Sequence, residues 1–214
     1  MKKAFFNIAG FPNVIGAVDG TLIPIIAPRD DEANFVCRKG FHAINVQAVV
    51  DASLRFTNIV CKWPGSVHDA FIFNNSSICQ ALEENASGWL LGDSGYPLKQ
   101  FLMTPKLNPS TYAEEKYNLA HAKTRVVVER AFGVCKSRFR CIHKTGGCLP
   151  FTPSKCTKVI TAVFKLHNRC IDDNLPMPIC DDDQDENVDD IDFIQLEYNG
   201  NGQHTRDRLI QRFA

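Results

Sequence analysis

The sequence predicts an α/β protein in which helices pack on a mixed β-sheet. In the first third of the chain, apolar and β-branched residues form short runs, and residues 42–50 alternate apolar and polar side chains as a strand does. In the second half, apolar residues recur at helical spacing instead. A hairpin followed by strands that are linked by helices is typical of a mixed sheet with helices packed on it.

Four segments have the composition of β-strands. The first is an apolar run that is interrupted by Asp19. The second and third are joined by a turn at 51–53 and predict a hairpin, and the fourth is a short apolar segment that ends at Gly92. These four segments are residues 13–26, 42–50, 56–63 and 89–91.

Three segments predict helices. The first follows a break at Pro64 and carries apolar residues at helical spacing between 71 and 82. The second runs from about residue 112 to 139, and the third from about 154 to 171. On the second helix, the i, i+4, i+7, i+11 spacing predicts one buried face that consists of Val128, Phe132, Cys135 and Phe139.

Composition divides the chain near residue 175. We expect residues 1–175 to form the folded domain, and residues 176–214 to form an acidic flexible linker and a short C-terminal helix. Eleven Asp or Glu and no Lys or Arg lie between Asp172 and Glu197, and such a segment buries too little apolar surface to fold alone. The acidic part, 181–192, is expected to be dispensable for folding, as is the whole tail after Met177, unless the terminal helix docks back on the domain.

Basic residues concentrate within the domain although the net charge of the whole chain is zero. Fourteen Lys or Arg and three Asp or Glu lie between Lys99 and Arg169. This excess favours a polyanionic partner over the ordinary alternative, a solvated coat on helix faces. The chain has no apolar run long enough to span a bilayer and no secretory signal, so we expect a soluble, intracellular protein without a membrane partner.

The nine cysteines predict reduced thiols, because an odd number cannot pair fully and the chain has no CxxC motif. A zinc site is conceivable in the C-terminal half, but the spacings match no common zinc module. A zinc-structured binding protein is therefore the weakest of the functional alternatives. Its candidate ligands are Cys135, Cys141, His143, Cys148 and Cys156.

Three carboxylates stand out as candidate metal ligands. Asp19 lies inside an apolar strand, where an unpaired charge is costly. Asp93 directly follows a short strand between two glycines, and Glu129 borders the buried face of a helix. Hydrolysis of a phosphodiester by two metal ions needs such a cluster of oxygen ligands. Each residue also has an ordinary alternative, as a turn residue for the aspartates and as a partner of Arg125 for Glu129.

Several segments resemble the PIF/Harbinger family of DDE transposases. They are FPNVIGAVDGTLIPI (11–25), RKGFHAINVQAVVDASLRF (38–56), WPGSVHDAFIF (63–73), LLGDSGYP (90–97) and VVVERAFGVCKSRFR (126–140), with LHN (166–168) and a terminal RDRLIQRF. The resemblance implies an RNase H-like fold. It also implies that Asp19, Asp93 and Glu129 are a DDE triad that binds Mg²⁺ or Mn²⁺ and cleaves DNA in the nucleus.

The resemblance has two departures. Leu22 stands where many members have His, and the chain begins just upstream of the first catalytic strand, without the helical N-terminal region of full-length relatives. Recognition of a DNA sequence would then come from elsewhere. Candidate partners are a separate DNA-binding accessory protein and a second copy of the chain. The residues expected to contact DNA phosphates are Lys123, Arg125, Arg130, Lys136, Arg138 and Arg140.

Two further interpretations compete with a nuclease. The first is a domesticated, catalytically silent protein that keeps the fold as a DNA- or protein-binding module. The second is a chymotrypsin-like protease, because Gly92-Asp93-Ser94-Gly95 resembles that family's nucleophile segment. Tyr96 follows in place of glycine and the gaps are too short for a double barrel, so the protease is excluded. His68 and Asp69 are expected to begin a helix, with an accessory role in the active site as the alternative.

Overall fold

A five-stranded mixed sheet forms the centre of the computed structural model, which describes residues 1–178 and 200–214. The strands are β1 (Val14–Pro24), β2 (Ala43–Val50), β3 (Phe56–Pro64), β4 (Trp89–Leu91) and β5 (Leu102–Met103). Their order in the sheet is β3-β2-β1-β4-β5. Strand β2 pairs antiparallel with both β3 and β1, whereas β4 is parallel to β1 and β5 is parallel to β4.

Helices cover both faces of the sheet. The larger apolar core joins one face to the N-terminal helix, the two long helices and the C-terminal helix, and a smaller core joins the other face to two short helices. The helices are α1 (Lys2–Ala9), α2 (Glu32–Phe35), α3 (Asp69–Asn74), α4 (Ser77–Asn85), α5 (Tyr112–Arg138), α6 (Pro153–Asp172) and α7 (Gly200–Ile210). The predicted mixed sheet with packed helices is confirmed.

Asp19 and Gly20 of β1 face opposite sides of the sheet. Asp19 lies opposite Ala48 and Gly20 lies opposite Gln47 on β2, and successive residues of a strand face opposite sides of the sheet. Asp19 therefore faces α5, and Gly20 faces α3. Strand β4 pairs with β1 only as far as Ala17, so both residues lie beyond the last paired position of β4.

Helix α5 begins at a capping box, in which the Thr111 side chain accepts from the Glu114 backbone N–H while the Glu114 side chain accepts from that of Thr111. The predicted apolar face is buried at Val128, Phe132 and Cys135. These buried residues pack α5 against the sheet. The packing sets the position of the polar residues of α5 relative to β1.

Four elements differ from the sequence expectation. The single helix expected over 71–82 is two helices, because Ser76 begins α4 by accepting a hydrogen bond from the Cys79 N–H. Helices α1 and α2 and strand β5 were not predicted at all. All three are short, and α1 is stabilised by tertiary packing, since its Phe5 is fully buried in the larger core.

The C-terminal helix α7 docks on the domain. Leu209 is 3% exposed within the larger core, and Arg206 donates to the Pro105 carbonyl over 3.1 Å. Gly202 lies against the Leu98 backbone so closely that an added Cβ would be 2.8 Å from its oxygen. The structure thus shows the alternative in which the terminal helix docks back on the domain, and this docking argues against a dispensable tail after Met177. The acidic segment 181–192 lies outside the described residues. Among the described helices, none has the length and apolarity needed to cross a membrane.

Candidate active site

Asp19 lies at the centre of the site, on the middle strand. Its residue is 8% exposed, and its carboxylate accepts hydrogen bonds from the backbone N–H of Gly20 (2.8 Å) and from Nη1 of Arg125 (2.9 Å). The acid that interrupts the apolar run is thus buried beside a cation. This pairing offsets the cost of burying a charge in an apolar strand.

Asp93 reaches the same place from the neighbouring strand. It follows β4 directly, and its Oδ1 accepts from the Gly95 N–H over 2.9 Å, which closes a tight turn. Gly92 makes the turn compact, because a Cβ there would lie 3.1 Å from the ring of Tyr96. Asp19 and Asp93 line one cavity of about 190 Å³.

Glu129 joins the site through an arginine. It is exposed on α5, and its Oε1 accepts from Nη2 of Arg125, the residue one turn earlier. The local pair that was the ordinary alternative for Glu129 therefore exists. Because the other side of the same guanidinium binds Asp19, Arg125 connects the carboxylates of β1 and α5.

Burial and neighbouring charges together determine the pKa of Asp19. Burial raises the pKa of Asp19 well above its ordinary value, and the neighbouring charge of Asp93 raises it further. The charge of Arg125 lowers this pKa and that of Asp69 raises it again. A cation placed among the three aspartates would relieve this repulsion and favour the ionised form of Asp19.

Asp69 is a third aspartate near the site. From the sequence it was expected to begin a helix, with a role in the active site only as the alternative. It is the first residue of α3 and lines the cavity with Asp19 and Asp93, next to His68. Nδ2 of Asn45 donates to Asp69 Oδ1 over 2.9 Å. A signal was present in the sequence, since Asp69 stands in the segment WPGSVHDAFIF, but only the approach of α3 to β1 shows which carboxylates it faces.

Basic residues line the same cavity. Of the six residues expected to contact phosphates, Lys136 is among its lining residues. Arg38, Lys39 and Lys144 also line it, and sequence reasoning did not select them. Two features of the sequence could have indicated them. Arg38 and Lys39 are adjacent at the start of the motif that begins RKGF, and Lys144 lies in the basic segment after α5.

The other five candidate phosphate contacts lie along α5 and just after it. Lys123 and Arg130 are exposed. Arg138 donates to the Pro176 carbonyl and Arg140 to the Thr145 hydroxyl. Arg125 is engaged by two carboxylates, so it could contact a phosphate only after releasing that pairing.

The histidines and cysteines take structural positions. Nε2 of His167 lies 2.8 Å from the Leu54 carbonyl in the core, and His42 pairs with Glu32. Cys135 and Cys156 are buried while Cys141 and Cys148 are exposed. Within residues 1–178 and 200–214, no group of three or more His, Cys, Asp or Glu side chains is placed so that it could hold a metal ion as it stands. The zinc alternative therefore gains no support, and the carboxylates of the cavity would have to move closer together to bind an ion.

Asp19, Asp69 and Asp93 line one cavity of this α/β domain together with basic side chains, an arrangement whose oxygen ligands suit a divalent cation. The comparison with known families makes this specific. The chain belongs to the DDE superfamily endonuclease family, whose model matches residues 18–168. The resemblance to Harbinger-type proteins is thereby confirmed.

Several of the curated relatives carry a nuclease name. The chain is 39% identical over 170 residues to "Putative nuclease HARBI1" of Bos taurus, covering 78% of this chain and 49% of that protein. The protein of the same name in Homo sapiens is 38% identical with the same coverage, and "Protein ALP1-like" of Arabidopsis thaliana is 28% identical over 80% of this chain and 46% of its own length. The chain thus spans about half the length of the curated relatives it matches. No solved structure matches it.

Proposed function

We propose that this chain is the catalytic domain of a metal-dependent DNA endonuclease or transposase with an RNase H-like fold. The observation that carries the proposal is that Asp19 and Asp93 line one cavity while Arg125 ties Glu129 to Asp19. The strand order, with an antiparallel hairpin on one side of β1 and parallel strands on the other, supports the fold. DNA is the proposed substrate and the nucleus the proposed location.

The residues of the site fit Mg²⁺ or Mn²⁺ in donor type and charge. Asp19 and Asp93 offer the oxygen ligands that hard cations prefer, and a cation bound between them would offset the repulsion by which Asp93 raises the pKa of Asp19. Glu129 would complete the set once the Arg125 side chain moves away from it. When bound, two such ions would activate a water molecule and stabilise the departing oxygen of a phosphodiester.

The protein's own side chains have two tasks in this proposal. Lys136 and Lys144 line the cavity and would hold the phosphates of a DNA strand over the carboxylates. Arg125 keeps the buried carboxylate of Asp19 neutralised while the site is empty of substrate. These contacts supply affinity without base recognition, which we assign to an accessory protein or to a second copy of the chain.

Cleavage of supercoiled plasmid tests the proposal. We expect nicking that requires Mg²⁺ or Mn²⁺ and that is abolished in Asp19→Asn, Asp93→Asn and Glu129→Gln, because each substitution removes one ligand charge but little volume. Glu84→Gln on α4 is the matched control, since Glu84 is exposed and does not line the cavity. Equal nicking by the wild type and the three variants would refute the assignment.

A catalytically silent binding module is the second candidate. The observation that favours it is the engagement of Arg125 with both Asp19 and Glu129, which places a permanent cation where a metal ion would be needed. Such a protein would bind DNA in a gel-shift assay with unchanged affinity in the Asp19→Asn variant. It would nick no plasmid with either metal.

A further inference from the structure

Gly20 gives the carboxylate of Asp69 its place beside Asp19. A Cβ at position 20 would lie 2.4 Å from Oδ1 of Asp69 and 2.6 Å from Oδ2, so the carboxylate fills the space that any side chain would occupy. Gly20 and Asp19 are neighbours on β1. Asp69 thus approaches the central strand from the face opposite α5, next to the residue that carries the main candidate ligand.

Asn45 holds this carboxylate in position. Its Nδ2 donates both to Asp69 Oδ1 (2.9 Å) and to the Val67 carbonyl (2.8 Å), which ties the start of α3 to β2. Asn45 is itself buried and lines the same cavity. This hydrogen bond pre-organises the Asp69 carboxylate beside β1.

Tyr96 supplies an independent sign that a polar ligand belongs here. The residue is 1% exposed, and its hydroxyl has no hydrogen-bond partner among the described residues. The carboxylates that act on this tyrosine through their charge are Asp69, Asp19 and Asp93. A buried hydroxyl without a hydrogen-bond partner is costly. A polar group bound among the three aspartates would relieve that cost by forming a hydrogen bond with it.

We propose that Asp69 is a fourth carboxylate of the cation site, which would hold the same divalent ion as Asp19 and Asp93 from the α3 side, and that a polar group bound there would hydrogen-bond to the Tyr96 hydroxyl. The inference rests on the proposed function, because it names an additional ligand for the same site. Asp69 has a simpler role as the first residue of α3, and the two roles predict different measurements.

Binding of Mn²⁺ to the intact chain, followed by calorimetry or by the loss of the free-ion electron paramagnetic resonance signal, separates them. We expect Asp69→Asn to weaken Mn²⁺ binding about 10-fold to 100-fold, the range known for losing a group that supports a metal. Asp51→Asn is the control, because Asp51 lies in the β2–β3 turn and bonds to backbone N–H groups there. Unchanged affinity in Asp69→Asn, with affinity lost in Asp19→Asn and Asp93→Asn, overturns this inference alone. A wild-type chain that binds no Mn²⁺ overturns the proposed function as well.

Tyr96→Phe gives a second measurement that does not depend on how well Asp69→Asn folds. Without metal, the variant should be as stable as the wild type or more stable, because it loses a hydroxyl that has no partner. With saturating Mn²⁺, the stabilisation should be smaller than in the wild type. A purely structural tyrosine would shift both states equally, and that result would remove Tyr96 from the site.

Discussion

Arg125 and Asp19 form an ion pair between helix α5 and strand β1, with Nη1 2.9 Å from Oδ2. Both side chains are largely buried, and the second nitrogen of the guanidinium binds Glu129. The pair makes α5 and the sheet electrostatically dependent on one another. Replacing Arg125, which is not itself a carboxylate, would therefore change the net charge at the centre of the site.

Replacement of Arg125 by glutamine should destabilise the protein and strengthen metal binding. The loss leaves a buried carboxylate without its cation, which costs about 3–5 kcal/mol of unfolding free energy. Mn²⁺ should then raise the melting temperature more in the variant than in the wild type, because it no longer competes with the guanidinium. Lys123→Gln, on the exposed side of the same helix, should change stability by less than about 0.5 kcal/mol. A smaller Mn²⁺ effect in Arg125→Gln would contradict the competition.

DNA affinity should depend steeply on salt, and the cavity lysines should account for part of that slope. Each phosphate contact contributes about 0.9 to the slope of log affinity against log salt, so replacing Lys136 and Lys144 by alanine should flatten it by about 1 to 2. The charge-matched control is the double alanine variant of Lys158 and Lys165 on α6, which lie outside this cavity. Fluorescence anisotropy at several salt concentrations gives the slopes, and equal slopes for both variants would show that the cavity lysines do not contact DNA.

Helix α7 should be required for stability. Leu209→Ala removes a side chain that is buried in the larger core and should cost about 2–5 kcal/mol in chemical denaturation. Gln203→Ala, on the exposed side of the same helix, should cost little. A chain that ends at Met177 should melt many degrees lower than the full chain. If its melting temperature is unchanged, α7 does not contribute to the core in solution.

His121 should make the protein less stable below pH 6.5. Burial lowers its pKa from 6.5 to about 4 in the folded state, where Nε2 donates to the Met103 carbonyl. Burial of the neutral ring therefore contributes fully to the free energy of unfolding above pH 6.5. This contribution is lost as the pH falls, because the unfolded state takes up the proton at a higher pH than the folded state does. The loss from pH 6.5 to 4 is about 3 kcal/mol, and His121→Gln should lack it. Urea denaturation of both proteins across this range measures the difference, which should grow as the pH falls.

The sequence was sufficient for the parts of the molecule that depend on local pattern. Asp19 was predictable because an acid inside an apolar strand needs a special reason, and α5 because its apolar face repeats at helical spacing. The link from Arg125 to Asp19 was not predictable from spacing, since the residues are 106 positions apart and only the packing of α5 on β1 joins them. The i, i+4 pair with Glu129 was visible in the sequence, but it gave no sign of this second partner.

The close approach of Asp69 to Gly20 has a consequence for how such sequences can diverge. Positions 20 and 69 are coupled, because a side chain at 20 would push the acid at 69 out of its present place. A relative that lacks the acid is released from that restriction and can carry alanine or serine at position 20. Among relatives of this domain, such residues at position 20 should therefore occur mainly where the acid on α3 is missing.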